Sequence, residues 1–106
     1  MEMAKAREFE IKISIQDGEI RLGRNHAIAA FPDEAVVWTC PEHAFAVQFS
    51  PDAPFEVANG GNRSVLKRTR NVPPSQPFKY TIAVYDEKNK KVLILDPVYI
   101  EIPPRG

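Results

Sequence analysis

Phe78-Lys79-Tyr80-Thr81-Ile82-Ala83-Val84-Tyr85, then six polar residues, then Val92-Leu93-Ile94-Leu95-Asp96-Pro97-Val98-Tyr99-Ile100-Glu101-Ile102, carries the strongest structural signal in the chain. Phe78, Tyr80, Ile82 and Val84 alternate with Lys79, Thr81, Ala83 and Tyr85, the period of two that a strand gives a half-buried surface. Asp86 to Lys91 is a solvated turn, and Val92 to Leu95 returns beside the first strand. Asp96-Pro97 interrupts that return before Val98, Ile100 and Ile102 alternate with Tyr99 and Glu101. Pro97 has no amide proton for a ladder, so it is expected at a bend or on an edge.

The same period recurs through the rest of the chain. Phe9, Ile11, Ile13 and Ile15 alternate with Glu10, Lys12 and Ser14, and Asp17-Gly18 supplies the positive φ angles of a tight hairpin turn leading to Ile20 and Leu22. Ala27 to Ala30 fits a short strand or one helical turn, and the strand is favoured. Phe31-Pro32-Asp33-Glu34 reads as a turn. Ala35 to Thr39 and Phe45 to Phe49 are β-branched and aromatic runs expected to be central strands, with Phe45, Val47 and Phe49 on one side. Trp38, Phe45, Phe49, Phe78 and Tyr80 are expected in the core. Ser50 to Pro54 and Asn59 to Asn62 read as loops around Phe55 and Val57, Ser64 to Thr69 as a strand, and Asn71 to Pro77 as another loop. Ten prolines and no segment of helical period give an all-β fold, a two-sheet antiparallel Greek-key sandwich.

At 106 residues the chain is expected to be one domain, 1–106, with 1–7 as a flexible N-terminal tail. Its formal net charge of zero excludes a polycationic nucleic-acid wrapper, and no apolar run reaches membrane-spanning length. The single cysteine, Cys40, makes no internal disulfide; with no leader visible at Met1 to Glu8, a cytoplasmic location is expected.

Three segments together resemble the cupredoxin family: Ala35-Val36-Val37-Trp38, His43 ahead of Phe45 to Phe49, and Phe78 to Val84 followed by Leu95 to Ile100. Immunoglobulin-like sandwiches carry similar strands and stand as the alternative. The resemblance covers the last two-thirds of the chain and implies a copper held by a mid-chain His and by a Cys, a second His and a Met between the last strands. Only His43 stands where such a ligand would; Asp86 to Asp96 supplies none of the others. The resemblance therefore implies the scaffold without type-1 copper.

Cys40-Pro41-Glu42-His43 has a Cys-x-x-His spacing, to which His26 would add a third ligand if the fold brought it close. Structural zinc normally takes four ligands, so a buried thiol and a loop histidine are the simpler account, and no cofactor is expected. Cys40 as a nucleophile with His43 as base lacks an orienting partner and oxyanion donors, and no other pair of acid and base suggests an enzyme. Between Val57 and Tyr85 the charged residues are Arg63, Lys67, Arg68, Arg70 and Lys79, all basic. Arg63, Lys67, Arg68 and Arg70 are the candidate contacts for an acidic protein partner, with a solvated sheet face as the plainer reading; nucleic acid is disfavoured because no aromatic RNA-binding motif accompanies them. The expected function is a non-catalytic binding or protein-interaction module, acting through end loops that include Cys40 to His43 and Val72 to Pro77, or through an exposed sheet edge. The alternative is a small metal or redox protein.

Overall fold

Each alternating segment is a strand in the computed structural model of the protein, which describes residues 8–23, 27–29, 35–73 and 76–102. The strands are β1 (Glu8–Gln16), β2 (Glu19–Leu22), β3 (Ala27–Ala29), β4 (Ala35–Thr39), β5 (Phe45–Phe49), β6 (Phe55–Asn59), β7 (Arg63–Arg68), β8 (Pro77–Asp86) and β9 (Lys91–Glu101). No helix occurs among the described residues. The tail at 1–7 and the turn at 31–34 lie outside them.

Two sheets form, in the orders β2-β1-β4-β7-β6 and β3-β9-β8-β5. Their apolar faces pack together as a sandwich. Most pairings are antiparallel, as the sequence predicts for a two-sheet sandwich, with β1 parallel to β4 and β3 parallel to β9. The reason is connectivity: β2 and β3 lie in different sheets, as do β4 and β5, so the chain crosses between layers and returns beside strands of the same direction.

The β1–β2 hairpin turns as its sequence requires, with Asp17 at φ 54° and Gly18 at φ 76°. Phe55 to Ala58, given no element in the sequence, and Asn59, read as the start of a loop, form β6, antiparallel to β7 from Phe55 opposite Arg68 to Asn59 opposite Ser64. Two apolar residues between Pro54 and Gly60 give too short a period to see in sequence, and the strand forms because β7 supplies its ladder and the core takes Phe55. β9 continues through Asp96-Pro97, and the interruption is a register shift opposite Tyr80 to Ile82, where the missing proline N–H opposes no regular ladder bond.

The core joins both layers. Ile11, Ile13, Val36, Trp38 and Leu66 come from the five-stranded sheet, and Val47, Phe49, Tyr80, Ile82, Val84, Val98 and Ile100 from the four-stranded one. At the centre Trp38 meets Tyr80 edge to face across the layers, ring centroids 5.4 Å apart at 67°, and Phe49 stacks within 5.0 Å of Tyr80. Such pairs add roughly 0.5–1.5 kcal/mol beyond the area they bury. The Trp38 indole N–H donates to the Tyr80 hydroxyl at 3.3 Å, so the core's two large polar handles satisfy each other.

Burial pushes the Tyr80 phenol up to about 12, with the Trp38 hydrogen bond opposing the shift. A raised folded value means that stability is intact below the unfolded value near 10 and is lost as pH rises toward the folded one. Tyr80→Phe is expected to cost about 1–3 kcal/mol at neutral pH, because it leaves the buried indole N–H without a partner. It should also flatten the fall in stability between about pH 10 and pH 12. Urea unfolding of both proteins across that range measures both effects, and identical alkaline slopes would refute the assignment.

Candidate functional site

At one end of the sandwich the β4–β5 loop, the β6–β7 turn and the β8–β9 turn come together. The β4–β5 loop is stapled by Asn62, whose side-chain amide donates to the carbonyls of Cys40 at 2.9 Å and His43 at 3.0 Å. Backbone bonds from Cys40 N–H to the Asn62 carbonyl and from Phe45 N–H to the Gly61 carbonyl complete the clamp. Gly61 turns the chain there at φ 84°.

Cys40 is fully buried and belongs to the core cluster. Burial pushes its thiol up, against the opposing backbone N–H groups of His43 and Glu42, so the thiolate that nucleophilic chemistry requires is disfavoured. Asp86, only 4% exposed, accepts hydrogen bonds from the Asn89 side chain at 2.7 Å and the Asn89 backbone N–H at 3.4 Å. The Asn89 side chain holds the Asp86 carboxyl below the usual carboxylate range, with a smaller contribution from the charge of nearby His43. Nδ1 of His43 is buried with no hydrogen-bond partner. His26 lies outside the described residues, and among the described residues no three His, Cys, Asp or Glu side chains form a metal-holding group.

The loops at Cys40 to His43 and Val72 to Pro77 are expected from the sequence to share an end of the sandwich, but Pro77, where the second loop enters β8, is at the opposite end from Cys40 to His43; residues 74–75 lie outside the described residues. β5 and β8 are antiparallel with Phe45 opposite Val84 and Phe49 opposite Tyr80, which sends Pro77 to the far end. There a recess of ≈ 580 Å³ opens between Phe49, Pro51, Phe78, Tyr80, Thr81 and Asp96.

The four basic candidates are dispersed. Arg63 and Lys67 fall on the outer face of the five-stranded sheet, where Arg63 forms a 2.9 Å ion pair with Glu8 and Lys67 stands opposite Glu56. Arg68 falls on the other side of β7, opposite the buried Phe55, and Arg70 hydrogen-bonds the Asp52 carbonyl in the next loop. This sheet face is polar and paired with itself: Thr39 also donates to Glu10 at 2.8 Å, and Arg21 bonds Glu19 at 2.9 Å.

The outer face of the four-stranded sheet has the opposite character. Ala46, Ala83 and Ile94 lie in one row across β5, β8 and β9, with the Tyr85–Val92 pair beside it. Tyr85, Val92, Ile94 and Tyr99 are 42%, 58%, 61% and 38% exposed, although each is large and apolar enough to belong in a core. The row of Ala46, Ala83 and Ile94 with the Tyr85–Val92 pair is continuous, Tyr99 stands apart opposite Lys79, and continuous apolar surface marks contact sites more often than isolated exposed residues do.

The two edges of this sheet also differ. Along β5, the Asn59 side chain imitates a neighbouring strand, accepting from Val47 N–H at 2.9 Å and donating to the Val47 carbonyl at 3.2 Å. Ser64 steadies it through a 2.7 Å bond to the same Asn59 oxygen. Along β9, β3 pairs only with Tyr99 to Glu101, so among the described residues nothing pairs with the outer side of Lys91 to Leu95. Asn59 and Asn62 read as flexible turn residues in the sequence; the only signal of their role was their position flanking Gly60-Gly61, which is not specific.

Compared with known proteins, the chain matches no protein-family model and no curated sequence.

Asn62→Ala is expected to lower stability by about 1–2 kcal/mol, since it leaves two loop carbonyls without their donor. The same change should raise the rate at which a thiol reagent modifies Cys40 in native buffer. A rate equal to that of the unsubstituted protein would show that the staple does not guard the thiol.

Proposed function

We propose that this protein is a non-catalytic protein-interaction module on a cupredoxin-like scaffold, binding through the outer face and open edge of its four-stranded sheet. One observation carries the reading: the apolar group of Tyr85, Val92, Ile94 and Tyr99 is exposed on one sheet while the outer face of the other sheet is charged and self-paired. The contrast assigns the two faces different work. A charged, internally bonded face is stable in water, whereas an apolar face beside unpaired backbone groups gains free energy by being covered.

The scaffold assignment rests on the strand order and on His43, which lies on the β4–β5 loop at the same end as the turn between the last two strands. The residues present do not fit type-1 copper. Between β8 and β9 that end offers the Asp86 carboxylate and the Asn89 amide, hard oxygen donors hydrogen-bonded to each other, in place of the soft thiolate, imidazole and thioether.

The alternative of a small metal or redox protein draws on the buried, unpartnered Nδ1 of His43 and on Cys40 of the same loop, while His26, the third donor expected from the sequence, lies outside the described residues. Native mass spectrometry with zinc and copper salts decides it: a retained ion lost in His43→Ala supports this alternative, and no retained ion removes it.

For the leading reading, a photo-crosslinking amino acid at Ile94 is expected to capture protein in cells, while the same probe at Lys12, on the charged face, captures none. A silent probe at Ile94 would overturn the proposal.

A further inference from the structure

The open edge is β9 from Lys91 to Leu95, and the direction of its backbone groups follows from one bond. Tyr85 N–H donates to the Ala44 carbonyl at 2.9 Å, so the Tyr85 backbone faces β5. Backbone direction alternates along a strand, so Val84 and Asp86 face β9, opposite Leu93 and Lys91. Val92 and Ile94 therefore turn their N–H and C=O groups away from β8, toward the unpaired side. Their side chains are the two most exposed large apolar groups described.

We propose that this edge pairs antiparallel with the same edge of a second copy of the chain, about a two-fold axis at Leu93, joining two four-stranded sheets into one. The inference rests on the interaction reading above and names its partner. For two copies to share the same inner and outer faces, paired residues must have the same parity, which leaves registers centred on Val92, Leu93 or Ile94. Centring on Val92 sets Lys90 against Ile94, and centring on Ile94 sets Val92 against Asp96. Centring on Leu93 sets Val92 against Ile94, Leu93 against its own counterpart and Lys91 against Leu95, and it brings Lys90, in the turn just before β9 at φ 51°, to the Asp96 end of the second copy. Of the three, this register alone gives both Val92 and Ile94 an apolar partner while bringing a cation to an anion at each end.

Apart from Lys91, which meets Leu95, the segment from Lys90 to Asp96 is thus complementary to itself when reversed. Charges that flank an edge strand usually block pairing, because a copy brings the same sign. Here the basic end and the acidic end meet. Asp96 accepts from the Thr81 hydroxyl at 3.0 Å through Oδ1, and among the described residues no hydrogen bond uses its Oδ2. Each Val92–Ile94 pair exchanges two backbone hydrogen bonds, and Pro97, with no N–H, ends the ladder. A two-fold arrangement closes on itself and leaves neither copy an edge at Val92 to Ile94 for further growth.

Sedimentation velocity of the full chain over a range of concentrations is expected to give a monomer–dimer equilibrium. Lys90→Glu and Asp96→Lys each place like charges at both ends and should weaken association about tenfold or more. Mixing the two variants restores an opposite pair at each end, so a mixed dimer should form with near-original affinity. Ile94→Lys should give monomer with an unchanged circular-dichroism spectrum. Monomer at every concentration, a dimer indifferent to Ile94→Lys, or no recovery in the mixture would each overturn self-pairing. The probe at Ile94 separates the two levels: an adduct only with a different protein overturns self-pairing but keeps the interaction reading, and no adduct overturns both.

Discussion

The contact between Trp38 and Tyr80 fixes how the two sheets face each other. Trp38 is on the central strand of one layer and Tyr80 on an inner strand of the other, so their edge-to-face contact and shared hydrogen bond set the spacing of the layers. Phe49 and Phe55 extend the aromatic contacts toward the far end, where Phe55 meets Phe78 at 5.2 Å. A core built this way needs neither disulfide nor metal, because large rings supply the apolar area that a chain of this length must bury.

Once the layers are fixed, the remaining constraint is the backbone at the sheet edges. Every unpaired N–H and C=O must find water, a side chain or another strand. The protein resolves this differently at the two edges of its four-stranded sheet. Asn59 and the Gly60-Gly61-Asn62 turn close the β5 edge with side-chain and main-chain bonds, and the same turn holds the Cys40–His43 loop. The β9 edge from Lys91 to Leu95 has no ladder partner among the described residues, although β2 of the other sheet lies close to β9, and it borders the exposed apolar face.

That asymmetry separates the candidate sites by chemistry. The Cys40–His43 loop is pinned by Asn62, with a buried thiol beneath it and a carboxylate engaged by its own turn, which suits structure better than reaction. The basic residues of β7 and the loop beyond are spread over two faces and partly neutralised by Glu8 and the Asp52 carbonyl. Among the described residues, the β8–β9 hairpin combines exposed large apolar side chains with unpaired backbone, the two features that a β-strand partner recognises together.

The sequence by itself determined the all-β class, most strand positions and the identity of the core, because alternation along Phe78 to Val84 or Ile11 to Ile15 is a local property that survives in any sandwich. It also determined the Asp17-Gly18 turn, whose φ angles depend on the residues themselves. It missed β6, because Phe55 and Val57 become a strand only when β7 lies beside them. Tertiary structure, through which strands pair, decided that Pro77 and the Cys40–His43 loop occupy opposite ends and that Asn59 closes an edge. It alone also decided that Val92 and Ile94 lie on an open one. Those facts depend on which strands become neighbours, and neighbours distant in sequence leave no periodic trace in the residues they bring together.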